Sequence, residues 1–549
     1  MLITIIYIII FWLVLPFVLI FTSISLDKYF GLVGIESTTI RILGIFISVI
    51  AGALLIYSIR QFRKIGKTLP ISATPPKMLI NRGIFSLWRH PIYLFYTIFF
   101  LGAALYLSSA GMLLIVLPVF VIGVYVYIII EEYFLSKRFG PVYAYYKKNT
   151  SLIIPRLPQL LKIPLWIVFK LLFNYRVVNK KRIHVQSQFF MLATHRNYLD
   201  PFFIGIPVDL PVNYVTTFEM FRKSFSALVF RKLLCIPKKR YLEDSRAVRN
   251  IINILNSGGV VGIFPEGERS WTGKTAIFKP EVIKLLKKYH HIPVLPVRID
   301  GNYHAWPRWG RFIRRAAVTV TYGKPFYVDR DDPPAVIESK LKKIISPKDD
   351  QTISKSMKTV LDLPKVVYRC PVCLNFDQIV VNGPSHLSCS GCKTVYTLQN
   401  NYTLKYAIDG MEVSKTINEI YQDIMVGSGD IAGIISTGEV SGPQVDSVIH
   451  RTDRVSVYAE QSRRMEKILD GVCRLTMKNL CFSNQQKSCR IKLDHISAAT
   501  VEGSNKLQLY EAHQGQLYQI IFSQDSVLKW QDFICRTIED KYDYIPDRQ

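Results

Sequence analysis

Three long stretches of this sequence carry almost no charge. There is no charged residue from Met1 to Leu26, one (Arg41) from Ile40 to Ile59, and none from His90 to Ile130. A helix needs about 20 apolar residues to cross a hydrocarbon core about 30 Å thick. The last run is long enough for two crossings, with Ser108, Ser109 and Gly111 marking a turn inside it. The pattern predicts four transmembrane helices, at about 3–22, 40–59, 91–108 and 112–130. A cleaved signal peptide is the competing reading of the first run, which lacks a basic leading segment and a clear small-residue cleavage site.

Charge sets the orientation. Arg60, Arg63, Lys64, Lys67, Lys77, Arg82 and Arg89 follow the second run, and Lys137, Arg138, Lys147 and Lys148 follow the fourth; the 27–39 loop has only Lys28, with Asp27 and Glu36. Basic loops stay cytoplasmic, so the N-terminus and everything after residue 131 are expected there. The net charge of +28 is uneven: 46 Lys+Arg against 17 Asp+Glu up to residue 345, and 23 against 24 beyond it. Hydrophobic residues make up 49% of the chain, too many for disorder. Basic charge lying beside apolar runs points to an anionic membrane surface rather than nucleic acid. The nine cysteines show no disulfide framework, which suits a reducing compartment.

Arg89-His90-Pro91-Ile92-Tyr93 opens the third run and Glu131-Glu132 closes the fourth. A helical hairpin brings them to one membrane level, where ionisable groups are often functional; the plainer reading is that Arg89 and the glutamates mark helix ends. This block, followed by Leu135, Phe139-Gly140, Tyr143, Tyr146 and Pro155, resembles the isoprenylcysteine carboxyl methyltransferase and phospholipid methyltransferase superfamily over about 40–156. The resemblance implies S-adenosylmethionine bound at the cytoplasmic face, with His90, Tyr93, Glu131 and Glu132 its nearest residues. One departure is Arg82-Gly83-Ile84-Phe85, where the family has Gly-Pro followed by an aromatic.

A second block is richer. Residues 188–195 read as a buried strand entering a turn, and His195 is followed five residues later by Asp200. A carboxylate so placed can orient an imidazole that takes a proton from an alcohol. About 65 residues on, the strand Val260–Phe264 runs into Pro265-Glu266-Gly267-Glu268-Arg269-Ser270; Ile236-Pro237-Lys238-Lys239-Arg240 lies between them, and Ile292–Ile299 and Gly323-Lys324-Pro325 follow. The ordered set resembles the glycerolipid acyltransferase family over about 165–345. The resemblance implies His195 as general base with Asp200 its partner, Arg240 and Arg269 on the acceptor phosphate, and Glu266 and Gly267 shaping that pocket. Thr194, Lys239 and Glu281 depart from the family pattern, and Lys238-Lys239-Arg240 makes the pocket more positive, favouring an anionic acceptor. Residues 157–178 read as an interfacial helical segment or as a core helix pair.

Cys370-x-x-Cys373 and Cys389-x-x-Cys392, 15 residues apart, have the spacing of a four-thiolate zinc ribbon with a structural ion. His386 is not expected to be a ligand. A Gly/Ser/acid-rich loop (426–450) precedes short alternating runs at 455–458, 473–477, 480–482, 490–493, 507–510 and 518–522, and a helix at 527–540. Strands followed by one helix predict a small β-barrel, similar in pattern to GRAM and pleckstrin-homology-like domains.

The expected architecture is multidomain: a transmembrane methyltransferase-like bundle (1–156), an α/β acyltransferase domain (157–345), a zinc ribbon (346–400), a helix and linker (401–452) and a barrel with a C-terminal helix (453–549). The expected function is acyl transfer from acyl-CoA or acyl carrier protein to a lysophospholipid, by default 1-acylglycerol-3-phosphate, with S-adenosylmethionine-dependent methylation of a lipid or membrane-embedded acceptor beside it. The competing class is a lipid-binding scaffold with one or both catalytic units degenerate.

Overall fold

The computed structural model describes the chain except residues 1–5, 7–8, 35, 69–77, 186–187, 241–243, 349–359, 409, 427–447, 462–463 and 540–549. The start of the first expected span, Lys77 and most of the 426–450 loop lie outside the described residues.

Helices α1 (Ile10–Phe30), α2 (Thr38–Gly66), α3 (Pro91–Leu107) and α4 (Met112–Asn149) form the N-terminal unit. Among the described residues α1, α2 and α4 are long and apolar enough to cross a membrane, and α3 is a shorter apolar helix. Small residues let α2 and α3 touch: a Cβ on Gly44 would meet the Gly102 carbonyl oxygen at 2.6 Å, the close backbone approach typical of membrane helix pairs. Asp27 ties the end of α1 to the α3–α4 turn, accepting from the Ser109 hydroxyl and from Gly111 N. The helix α4 runs past the expected end at 130 but breaks at Gly140, whose φ of +52° precedes Pro141.

The helix α5 (Lys162–Phe173) lies within 157–178 and packs on one side. Phe169 and Phe173 are buried in the α/β core, while Ile163, Trp166, Ile167 and Leu171 are exposed on the other side. Strands β1 (Arg176–Val178), β2 (Phe189–Leu192), β3 (Val212–Thr217), β4 (Ile236–Lys238), β5 (Val260–Ile263), β6 (Val294–Asp300) and β7 (Thr319–Tyr322) follow. They pair in the order β1-β7-β6-β2-β5-β3-β4, parallel except between β6 and β7. Every residue of β2 and β5 is buried, as continuous apolar runs covered on both faces should be.

Beyond residue 345 the chain is β-rich. Strands β8 (Ile379–Val381), β9 (His386–Cys389), β10 (Val395–Leu398), β11 (Thr403–Ile408) and β12 (Met411–Thr416) form an antiparallel sheet. This corrects the expected helix and linker at 401–452: β11 and β12 extend the sheet before the helix Ile417–Val426 begins. Strands β13 (Val448–Gln461), β14 (Arg464–Thr476), β15 (Asn479–Ser483), β16 (Ser488–Lys492), β17 (Ile496–Glu502), β18 (Lys506–Glu511) and β19 (Gln516–Phe522) make a second antiparallel sheet, with β16 and β17 at its ends. The helix α6 (Val527–Glu539) follows. Neither sheet is a separate bead: Trp271, Tyr303 and Trp309 of the α/β unit share one buried cluster with residues of both, and Arg314 Nη1 donates to Tyr402 Oη at 2.6 Å.

Candidate active sites

The two strands that meet at the sheet centre deliver the first site. From the C-terminal end of β2 the chain turns through His195 into a short helix that begins at Asp200. His195 Nδ1 lies 2.9 Å from Asp200 Oδ2. The same oxygen accepts from the backbone N–H groups of Arg196 and Asn197, each at 2.7 Å, and Asn302 Nδ2 donates to Oδ1 at 2.7 Å. Asp200 is fully buried, and these contacts fix its carboxyl group against the ring. Burial pushes His195 below its ordinary range, with Asp200 opposing the shift and the Arg269 and Arg308 charges adding to it. The imidazole is therefore neutral at neutral pH, as a base requires.

The neighbouring β5 carries the second motif. Glu266 is buried and faces away from the cavity: Oε2 accepts from His195 N at 2.5 Å and Oε1 from Ala276 N at 3.1 Å. Burial pushes its carboxyl up to about 8, against those two donors. Glu266 thus braces the His195 turn, while Gly267 (φ +76°) turns the chain so that Gly267 and Arg269 line the cavity. The Arg269 guanidinium lies over the Tyr198 ring at 3.3 Å, and its Nη1 is buried with no hydrogen-bond partner among the described residues. Arg240 lines the same cavity, beyond β4.

That cavity has a volume of about 1740 Å³. It runs from Pro158, Leu161 and Leu165, beside the exposed apolar face of α5, past Phe202, Tyr214 and Phe230 to His195 and the arginines. Three residues of the site escaped sequence reasoning. Asn302 follows β6 in an Asp-Gly-Asn turn, Tyr198 sits inside the first motif, and Arg308 belongs to an aromatic- and arginine-rich stretch (302–315) whose composition was the available signal.

The second cluster sits at the ends of α3 and α4. Glu132 pairs with Arg89 Nε at 2.9 Å, Lys147 Nζ at 2.7 Å and His90 Nε2 at 3.4 Å, and His90 Nδ1 lies 3.4 Å from Glu131. The break at Gly140 makes this possible by turning the last residues of α4 back, so that Arg89 Nη1 also reaches the Lys147 and Thr150 carbonyls. Tyr93 stacks on His90 at 5.7 Å. His90 Nε2 and Glu131 Oε2 are buried without an aligned hydrogen bond, so the residues fit a ligand that brings an ammonium and hydroxyls. Gly83 N, in the segment that departs from the methyltransferase pattern, donates to Asp209 of the α/β unit at 3.2 Å.

The third cluster is the four cysteines, whose sulfurs all lie within 4.8 Å of one another; Cys370–Cys392 and Cys373–Cys389 are each 3.6 Å apart. Tetrahedral zinc with Zn–S bonds of about 2.3 Å needs sulfurs about 3.8 Å apart. Both knuckles turn the same way, with Leu374 and Lys393 in the left-handed region. His386 lies outside the cluster, its Nδ1 3.2 Å from Thr397 Oγ1.

Residues 174–300 match the Acyltransferase family model, and residues 39–142 match the Phospholipid methyltransferase model. Two family models thus match successive parts of the chain. A 1-acyl-sn-glycerol-3-phosphate acyltransferase of Bacillus subtilis (strain 168) is 27% identical over 106 residues, 19% of this chain and 53% of that protein. One of Cocos nucifera is 36% identical over 67 residues, 12% of this chain and 21% of that protein. This chain thus spans about half the length of the first of these relatives, and less of the second. Among solved structures, the 1-acyl-sn-glycerophosphate (LPA) acyltransferase PlsC of Thermotoga maritima matches at 21% identity and a TM-score of 0.31, covering 35% of this chain and 77% of that one. The Vps36 N-terminal PH domain matches at 18% identity and a TM-score of 0.16, covering 18% and 83%.

Proposed function

We propose that this chain is an integral membrane O-acyltransferase that moves an acyl group from acyl-CoA or acyl carrier protein to the hydroxyl of a lysophospholipid, by default 1-acylglycerol-3-phosphate. The observation that carries the reading is the His195–Asp200 pair at the head of a lipid-sized cavity that also holds Arg240 and Arg269. In this reading His195 Nε2 takes the acceptor's hydroxyl proton while that oxygen attacks the thioester carbonyl. Collapse of the tetrahedral adduct breaks the carbon–sulfur bond, and the leaving thiolate takes the proton back. Arg240 and Arg269 hold the phosphate, and the exposed apolar side of α5 rests in the bilayer surface. The His195→Ala protein, assayed with lysophosphatidate and a long-chain acyl thioester, should lose activity by about 10³-fold; unchanged acylation would refute the assignment.

A second activity is proposed for the N-terminal unit, with four membrane helices, a cytoplasmic N-terminus and cytoplasmic catalytic groups. S-adenosylmethionine would supply an electrophilic methyl group there. His90, Tyr93 and Glu131 would hold it, while Glu132 fixes Arg89, His90 and Lys147 around it. Saturable binding of labelled S-adenosylmethionine to the full-length protein tests this, and its absence would leave the unit a membrane scaffold. The four thiolates are proposed to bind a structural zinc ion, and residues 453–549 to be a pleckstrin-homology-like domain.

A further inference from the structure

The cavity at His195 is not walled by the α/β unit alone. Ala498, Thr500, Glu502 and Lys506, from β17 and the start of β18, line it as well. Ala498, Thr500 and Glu502 alternate along the strand with Ala499 and Val501, which pack into the core of their own sheet, and Val501 and Gly503 border the cavity too. Because β17 is an edge strand, some of its carbonyls have no neighbouring strand to serve. The buried Arg308 takes them. Its Nη2 donates to the Val501 carbonyl at 2.6 Å and its Nε to that of Gly503 at 3.3 Å, while Nη1 donates to the Arg269 carbonyl at 2.6 Å. One guanidinium thus fastens the hairpin to the loop that carries the acceptor arginine. At the hairpin tip, a Cβ on Gly503 would lie 3.8 Å from Tyr198 Oη, beside the ring that Arg269 covers. Arg222 Nη2 and Glu460, 3.0 Å apart, tether the two units a second time.

We infer that the β17–β18 hairpin is a built-in wall of the acyl-acceptor site, and that Lys506 on it selects an anionic phosphate headgroup. This rests on the acyltransferase reading above. Lys506 is loosely held, with Nζ 3.9 Å from Glu502 Oε1, and Glu502 is itself engaged by Gln508 Nε2 at 3.0 Å. The ammonium can therefore turn to a phosphate in the cavity, and the small side chains of Ala498 and Thr500 leave room for the glycerol part.

The test uses the full-length protein in lipid nanodiscs, with lysophosphatidate and lysophosphatidylcholine as acceptors. Lys506→Glu should raise KM for lysophosphatidate about fivefold, the scale of a partly exposed ion pair. It should leave KM for the acyl thioester as it was and lower the preference for lysophosphatidate over lysophosphatidylcholine. In the inactive His195→Ala protein, lysophosphatidate should slow hydrogen exchange at residues 498–506. Unchanged acceptor KM and preference, with no added protection of the hairpin, would overturn the inference while leaving the acyltransferase reading standing. If the unmodified protein acylates no lysophospholipid, the acyltransferase reading fails and takes the inference with it.

Discussion

The chain sets a histidine against carboxylates twice, and the two arrangements differ in what the ring nitrogens face. Among the described residues the His195 ring meets a carboxylate through Nδ1 alone, at Asp200, and the ring borders a cavity. At His90 each ring nitrogen lies 3.4 Å from a glutamate. The carboxylates differ too. The donors to Asp200 are His195 itself, two backbone N–H groups of the same turn and one amide. Those of Glu132 come from both ends of a helical hairpin. In the proposed reaction the first arrangement orients a base; the second clasps the two ends of the helical hairpin together. Two things separate them: the His195 side chain is 21% exposed and that of His90 6%, and the second nitrogen of His90 also lies near a carboxylate.

The sharpest way to break that contrast is Asp200→Asn. The amide cannot accept from four donors and favours the wrong tautomer of His195, so acyl transfer should fall by about 10³-fold; a loss of a few-fold would make Asp200 merely structural. Glu132→Gln should instead act on stability. Removing one partner from a buried ion cluster costs about 3 kcal/mol, seen as a lower unfolding temperature of the N-terminal helices, with acyl transfer at 25 °C retained. Asn302→Ala should lower kcat by about tenfold with little change in acceptor KM, because it loosens the carboxylate rather than the substrate.

The smallest effect is on pH. The base must be neutral, and His195 is held below the usual histidine value of about 6.5. Activity should persist below that pH and fall only as the depressed pKa is passed. Arg269→Gln removes a charge that lowers it, so the acid limb should move to higher pH by a fraction of a unit; a limb that moves down would reverse the sign.

Much of this was legible in sequence. The apolar runs gave helices at α1 to α4, and the ordered motifs pointed to His195, Arg240 and Arg269, which line one cavity, and to Asp200, buried behind His195. Local pattern could not show where Glu266 points, since its partners are backbone groups of the 193–200 turn and of residue 276. It also missed β17: Ile-Ser-Ala-Ala-Thr-Val-Glu has small residues where an edge strand faces a ligand, so its alternation is weak. The shared core of Trp271, Tyr303 and Trp309 with the C-terminal sheets is a long-range contact that no local period encodes. It joins the C-terminal sheets to the α/β unit, so that the last sheet reaches the first described cavity.

The most direct test crosses the two histidines. Full-length His195→Ala and His90→Ala proteins, in the same nanodiscs, are each assayed for acyl transfer to lysophosphatidate and for binding of labelled S-adenosylmethionine. The account predicts that His195→Ala loses acyl transfer and still binds the cofactor, and that His90→Ala does the reverse. Acyl transfer that survives His195→Ala, or falls equally in both proteins, would contradict it.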